Sequence, residues 1–391
     1  AFQLANPTIP VLLECKPYLL VDLGDLAANP SALVEGEYDL VDIDTLPLVG
    51  GVPTIRNAWL SAVPIEVGPR PSSMNAEIRA ALESTTAINL KAVVEQLCTS
   101  ESRHWLSSGY MAALQTAHLA FETIGFNSKP RSFEATDVTG WNLVASHPLS
   151  TRLQPTVATA PGDHLADARP ADTDTIVVCA HLDSVNKTNK TPQARAPGAR
   201  DNASGCATLL ELARLYASFL DAGARVRSHV EFVLFGGEEF KQLGSNAYVG
   251  RLSGTTSHIR AVLNLDITGP PLVQDVSFPG VNLKNLYFGT NSEALALSLA
   301  SRSLQYDGRL TFARLPSDQV SSDHKPFEAH GIPAVLVVEG AGLFPGDIHS
   351  VYDIPGRIDF DGHARITRVC AAWLLHEVFD VPTLPPWPGG T

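Results

Sequence analysis

Four continuous apolar runs stand out along the chain: Thr175–Cys179 (TIVVC), Val230–Phe235 (VEFVLF), Ile259–Leu265 (IRAVLNL) and Ala334–Val338 (AVLVV). A strand with one wet face alternates apolar and polar residues. A run that does not alternate reads as a strand covered on both faces. Apolar residues at helical spacing lie in Leu90–Leu97, Ser108–Ile124, Ala207–Leu220, Glu293–Ser303 and Ile366–Phe379, and Arg131–Ala135 and Trp141–Ala145 read as further strands. Strands alternating with helices predict an α/β fold with a mostly parallel central sheet flanked by helices. Ligands of such sheets bind beyond the carboxyl ends of the strands, so that edge is where chemistry is expected.

The length of 391 residues suits one large domain and something smaller. Residues 1–72 have a different texture, with short apolar runs at Val11–Leu13 and Tyr18–Val21 and Gly/Pro punctuation at Gly50–Pro53. The stretch Val67–Ser73 (VGPRPSS) reads as a linker. The expected division is an N-terminal accessory or propeptide-like region over 1–72 and a main domain over 75–391. The formal net charge of −13 argues against nucleic acid as the main partner, because phosphate binding needs clustered Lys and Arg. No run of apolar residues is long enough to span a bilayer as a helix. The five cysteines are too few and too scattered for a disulfide framework, and Cys179 and Cys206 read as small core residues. Asn186, Asn189 and Asn202 each head an N-x-[ST] triplet.

Polar groups capable of binding metal sit where the sheet reading places ligands. AHLDS puts His181 and Asp183 just past the first apolar run. Residues two apart on an extended segment point the same way, so Asp183 is placed to accept the second ring N–H of a metal-bound His181. PGARDNASG carries Asp201 in a turn before a helix, where an Asp serves either as an N-cap or as a carboxylate shared by two cations. FGGEEF runs from a buried strand through two glycines into Glu238 and Glu239; one such glutamate can bind metal while its neighbour acts as general base. Asp266 in NLDITG follows another buried strand, and His349 lies in DIHSVYD after the last one. Taken singly, each has an ordinary structural explanation. Together, His181, Asp201, Glu239, Asp266 and His349 deliver two imidazoles and three carboxylates to one edge of the sheet. That mixed N/O set suits zinc and tolerates cobalt or manganese. Five ligands are one too many for a single tetrahedral ion but make two three-ligand sites if one carboxylate bridges.

The motifs AHLDS, PGARDNASG, GGEEF, NLDITG, SSDHKPFEAHGIPA and IHSVYD, in that order over roughly residues 75–380, resemble the zinc exopeptidases that include bacterial leucyl-type aminopeptidases, glutamate carboxypeptidase and glutaminyl cyclases. The resemblance implies two Zn2+ per chain, one on His181, Asp201 and Asp266 and the other on Asp201, Glu239 and His349. It also implies Glu238 as general base, Asp183 as the partner of His181, a cis peptide after Asp201, and a peptide substrate with a free N-terminus. Two features depart from the family pattern. Arg200 stands where PGADDN is common, and is expected to face solvent, or else to alter the local charge or bind a substrate carboxylate. No tyrosine stands just before the SDH motif, where Ser317–Ser322 reads SDQVSS; Gln319 is the substitute donor the position offers. The expected activity is that of an aminopeptidase. A dipeptidase or carboxypeptidase (with Arg200 or Arg314 as a carboxylate clamp), a glutaminyl cyclase and a non-catalytic binding module stay open at this level.

Overall fold

A computed structural model describes residues 11–15, 18–21, 63–64, 75–135, 137–148, 174–252, 258–272, 282–307, 310–339 and 347–381. Eleven strands are described: β1 (Val11–Cys15), β2 (Tyr18–Val21), β3 (Val63–Pro64), β4 (Asn127–Ala135), β5 (Val138–Ser146), β6 (Thr175–His181), β7 (His229–Phe235), β8 (Ile259–Leu265), β9 (Asn282–Phe288), β10 (Leu310–Pro316) and β11 (Ala334–Glu339). The α-helices are α1 (Ala76–Glu83), α2 (Ala87–Leu97), α3 (Ser108–Thr123), α4 (Gly205–Asp221), α5 (Leu243–Arg251), α6 (Glu293–Tyr306), α7 (His324–Ala329) and α8 (Phe360–Val378). Strands β1 and β2 form an antiparallel pair, and the remaining nine form one sheet in the order β3-β10-β9-β11-β8-β6-β7-β5-β4.

The α/β expectation is met, in a mixed sheet whose centre is parallel. Strands β7, β6, β8 and β11 run parallel side by side, and they are the four apolar runs. The flanks turn antiparallel, at β5 against β7, β4 against β5, and β9 against β11. Successive side chains of β6 explain the absence of alternation. Ile176, Val178 and Ala180 pack with α4, α8 and the other helices of one face, while Val177 and Cys179 pack with Tyr248, Val249 and Phe327 from α5 and α7 on the other. Both faces are dry, so both registers must be apolar.

Helix starts follow local chemistry. The side chains of Asn75, Thr86 and Ser107 each accept a first-turn N–H of α1, α2 and α3, and Asp359 accepts two at α8. Asp201 does not cap α4, whose preceding residue is Ser204. Of the N-terminal region, Val63–Pro64 pairs with β10 at the sheet edge; Gly50–Pro53 and the linker Val67–Ser73 lie outside the described residues. No described helix is long and apolar enough to cross a membrane.

Candidate metal centre

The five expected ligands converge at the carboxyl edge of the parallel strands. His181 ends β6, Asp266 follows β8, and Glu239 lies in the short turn Glu238–Phe240 after β7. Asp201 comes from the Ala199–Ser204 turn before α4, and His349 from the loop after β11. Gly237, at φ 72, makes the sharp exit from β7 that a side-chain-bearing residue rarely adopts. The Asp201–Asn202 peptide is cis, as the resemblance implied.

Two clusters share one carboxylate. His181 Nε2 lies 3.2 Å from Asp201 Oδ1 and 3.3 Å from Asp266 Oδ1. On the other side, His349 Nε2 lies 2.7 Å from Asp201 Oδ2 and 3.1 Å from Glu239 Oε2. Ligand atoms of His181, Asp201 and Asp266, and of Asp201, Glu239 and His349, therefore fall within 4.8 Å of one another in each triad. Each triad offers one imidazole and two carboxylates, a donor set that suits zinc with a position left for water or substrate. Glu239 Oε1 is buried without a hydrogen-bond partner, which is anomalous for a carboxylate unless a cation satisfies it.

A second layer of side chains fixes these ligands. The Asp183 carboxylate accepts the backbone N–H of Glu238 at 3.1 Å and of Glu239 at 3.4 Å, so it holds the glutamate turn. Its own backbone carbonyl is the nearer acceptor for the second ring nitrogen of His181, at 3.1 Å against 3.6 Å for the carboxylate. Asp183 thus lies against His181, but the nearer acceptor is its carbonyl and not the carboxylate that the spacing suggested; the carboxylate has a further task that the spacing did not reveal. Asn202 donates to Leu265 O and accepts from the N–H groups of Gly205 and Ile267, which ties the Asp201 turn to the Asp266 segment. Ser322 donates to Asp266 Oδ2 at 2.8 Å and accepts from Asn264. Gln242 donates to Glu238 Oε1 at 2.8 Å. Asp353 accepts from the backbone N–H of Arg200 at 2.8 Å and of Asp201 at 3.0 Å. The sequence signal for these residues was thin. Asn202, Ser322 and Asp353 stood inside the quoted motifs as ordinary turn residues.

From the protein's own groups alone, the centre attracts positive charge. Burial works against a charged His349, yet Asp201 and Glu239 outweigh it and raise its pKa to about 10. Burial would likewise lower His181, but Asp266 and the neighbouring aspartates hold it well above its usual value. Burial would raise Asp201, but His349 and His181 push it below the usual carboxylate range. Burial and the Asp201 charge lift Glu239 to about 7. Burial, reinforced by Asp323, Asp266 and Glu239 against His181, raises Glu238 well above a free glutamate. Protons here do the work of compensating charge that a cation would do more fully.

The centre opens into a cleft of about 410 Å³. Asp201, Glu238, Glu239 and Asp266 face it, Ile267, Val320, Val338 and Ile348 supply apolar lining, and Lys187, Lys241, Gln242 and Ser321 add polar groups. No tyrosine lines it among the described residues. The side chains of Gln319 and Arg314 lie outside the described residues.

Arg200 requires a correction. Expected to face solvent, it is fully buried, with Nη2 on Glu339, Nη1 3.3 Å from Asp347 and Nε 3.2 Å from Gly269 O. All three guanidinium nitrogens are engaged, because the turn that presents Asp201 directs the preceding side chain into the protein. It is therefore not available as a clamp for a substrate carboxylate. Asn202 is also fully buried, whereas Asn186 and Asn189 lie on an accessible loop.

Comparison with known proteins agrees with this geometry. Residues 163–374 match the model of peptidase family M28. The chain is 30% identical over 203 residues to leucine aminopeptidase 1 of Trichophyton equinum, covering 49% of this chain and 52% of the relative. It is 26% identical over 359 residues to a probable zinc metalloprotease of Leptosphaeria maculans, covering 81% and 79%. A probable leucine aminopeptidase of Arthroderma otae matches at 31% over 186 residues; the chain spans about half the length of such relatives, 48% in that case. Among solved structures, the LapA aminopeptidase of Legionella pneumophila superposes with a TM-score of 0.62 at 16% identity, covering 81% of this chain and 78% of that one. The glutaminyl cyclase of Porphyromonas gingivalis superposes with a TM-score of 0.56 at 19% identity, covering 75% and 99%. At these identities the structural likeness speaks to the fold. The family match covers more than half of the chain and includes all five clustered residues, His181, Asp201, Glu239, Asp266 and His349; the chain belongs to the zinc metallopeptidases of family M28.

Proposed function

We propose that this chain is a two-zinc aminopeptidase that removes N-terminal residues from peptides. The observation that carries the reading is the Asp201 carboxylate, with Oδ1 turned to His181 and Oδ2 to His349, inside the cleft that also holds Glu238. His181, Asp201 and Asp266 would hold one zinc and Asp201, Glu239 and His349 the other. Zinc bound there would supply Lewis acidity, bringing the pKa of a bound water toward neutrality and polarising a peptide carbonyl.

Glu238 is the general base. It takes the proton of the attacking water and returns it to the leaving amine. Gln242 engages Oε1 of Glu238, which leaves the other carboxylate oxygen for the proton. Asp183 holds the backbone of the Glu238–Glu239 turn, so base and ligand keep a fixed separation. The carboxylates facing the cleft favour a substrate that brings a positive charge, as a free α-ammonium does. The apolar lining from Ile267, Val320, Val338 and Ile348 suits an apolar N-terminal side chain. The names of the fungal relatives point the same way. The two complete triads favour water attack over cyclisation, and the engaged guanidinium of Arg200 removes one basis for a carboxypeptidase. Residues 1–72 are assigned as an accessory region and 75–391 as the catalytic unit; turnover with and without residues 1–72 tests that division.

The reading is tested with aminoacyl chromogenic amides, free and N-acetylated, with and without a chelator. Chelator-sensitive release from the free-amine substrates alone is the expected result. Equal release from acetylated substrates, or none from protein carrying two zincs, overturns the aminopeptidase assignment.

A further inference from the structure

The fully buried Arg200 engages the segments that carry three of the five clustered residues, Asp201, Asp266 and His349. Its backbone precedes Asp201. Its Nε donates to Gly269 O at 3.2 Å, in the segment after Asp266. Its Nη2 pairs with Glu339 at the end of β11, and its Nη1 lies 3.3 Å from Asp347 Oδ1, just before His349. The far end of the same segment returns to Arg200 as well. Asp353 accepts the Arg200 backbone N–H at 2.8 Å and that of Asp201 at 3.0 Å, and its carbonyl accepts the Ala199 N–H at 3.1 Å. The Asp347–Asp353 segment is thus fastened at both ends to one residue, with His349 between the two fastenings.

The backbone of that segment needs such restraint. His349 has a φ of 55, a left-handed conformation that a residue bearing a Cβ adopts only when its surroundings impose it. Arg200 is also a counter-ion of two buried carboxylates, Glu339 and Asp347, the second of which it shares with Arg357, and weakening the pairing of a buried charge is destabilising. A planar guanidinium reaches several acceptors at fixed angles, which a lysine ammonium does not. An aspartate at this position, the residue common in the family pattern, would put a third carboxylate beside Glu339 and Asp347.

We propose that Arg200 is a positioning residue, which sets His349 against Asp201 and so governs the Asp201/Glu239/His349 triad rather than the His181/Asp201/Asp266 triad. The inference rests on the two-zinc reading. Its test is zinc release to a chromophoric chelator, with the two steps assigned by His181→Ala and His349→Ala. In Arg200→Met, the step belonging to the His349 triad weakens by roughly 10–100-fold, the range for residues that orient metal ligands, and the other step moves less. Because removing the guanidinium from between Glu339 and Asp347 also changes the buried charge balance, a second variant, Arg200→Met with Glu339→Gln and Asp347→Asn, takes away the two carboxylate charges as well. Selective loss at the His349 triad in that variant supports positioning. Zinc binding there at parental affinity shows that Arg200 merely balances charge and overturns the proposal, as does an equal change at both steps. A parent chain that binds fewer than two zincs overturns the two-zinc reading itself, and this inference with it.

Discussion

Replacing Asp183 by asparagine isolates one hydrogen-bonding role at the centre. The carboxylate is fully buried and accepts two backbone N–H groups, Glu238 on Oδ1 and Glu239 on Oδ2. An asparagine has one acceptor oxygen and one NH2 group. Whichever way the amide is turned, a donor meets a donor at one of the two positions. The retained bond changes from charge-assisted to neutral, a loss of about 1 kcal/mol, and the orphaned buried N–H adds about 1–3 kcal/mol. The expected destabilisation is therefore about 2–4 kcal/mol, a large share of the ~5–15 kcal/mol that holds a folded domain together. Displacing the turn also moves Glu238 and Glu239, so kcat falls by roughly 10–100-fold while zinc is still bound. Urea unfolding of the chelator-treated protein reads the stability, and steady-state kinetics of the zinc-loaded protein read the turnover. An Asp183→Asn protein with the parental unfolding midpoint, slope and kcat would refute the assignment of the turn to this carboxylate.

Glu238→Gln preserves the shape of the side chain and its contact with Gln242 but cannot take a proton; zinc content stays at two while kcat drops by roughly 10²–10⁴-fold, and an active zinc-loaded variant would overturn the general-base role. His363 is fully buried, its Nε2 donates to Ser204 O, its Nδ1 has no partner, and burial lowers its pKa to about 4. Because the folded pKa lies below the unfolded value of 6.5, the unfolded chain binds the extra proton first, and stability present above pH 6.5 is lost as the pH falls toward 4. The loss approaches about 3 kcal/mol, and a His363→Gln variant should show a correspondingly shallower pH dependence of its unfolding free energy; identical slopes would argue against it. Gly205→Ala should destabilise by about 1–3 kcal/mol in denaturant unfolding, because a Cβ there meets Leu265 O and Asn202 Oδ1 at 2.3 Å each, which outweighs the helix propensity gained; a stabilised variant would contradict that packing.

The parts of the fold readable in the sequence were those under the strongest burial. Ile259–Leu265 matches β8 to the residue, and the other three apolar runs differ from β6, β7 and β11 only at their ends. Strands β9 (NLKNLYF) and β10 (LTFARLP) escaped notice because lysine, asparagine, arginine and proline interrupt their apolar residues. Helices α1, α5 and α7 are short, and their apolar residues are too few to show a period. At the centre, the clustering of two imidazoles and three carboxylates was legible because metal chemistry admits few residue types and the strand ends said where to look. The environment of Arg200 was not legible, since nothing local distinguishes a turn that points its side chain outward from one that buries it against Glu339 and Asp347. The task of Asp183 was hidden for a similar reason: its acceptors' partners are backbone groups more than fifty residues away, at Glu238 and Glu239.

The strand order carries a consequence for synthesis. Strand β11 lies between β8 and β9 in the sheet, although among the described strands it is the last to be made. Until it emerges, β8 and β9 have no neighbour on their facing edges, and such edges invite pairing with other chains. His349 follows β11, so the shared carboxylate of Asp201 waits for its second imidazole until the sheet has closed around its final strand. A chain shortened before Ala334 would therefore lose both the middle of its sheet and half of its metal centre, and metal capture at that half belongs to the end of folding rather than its beginning.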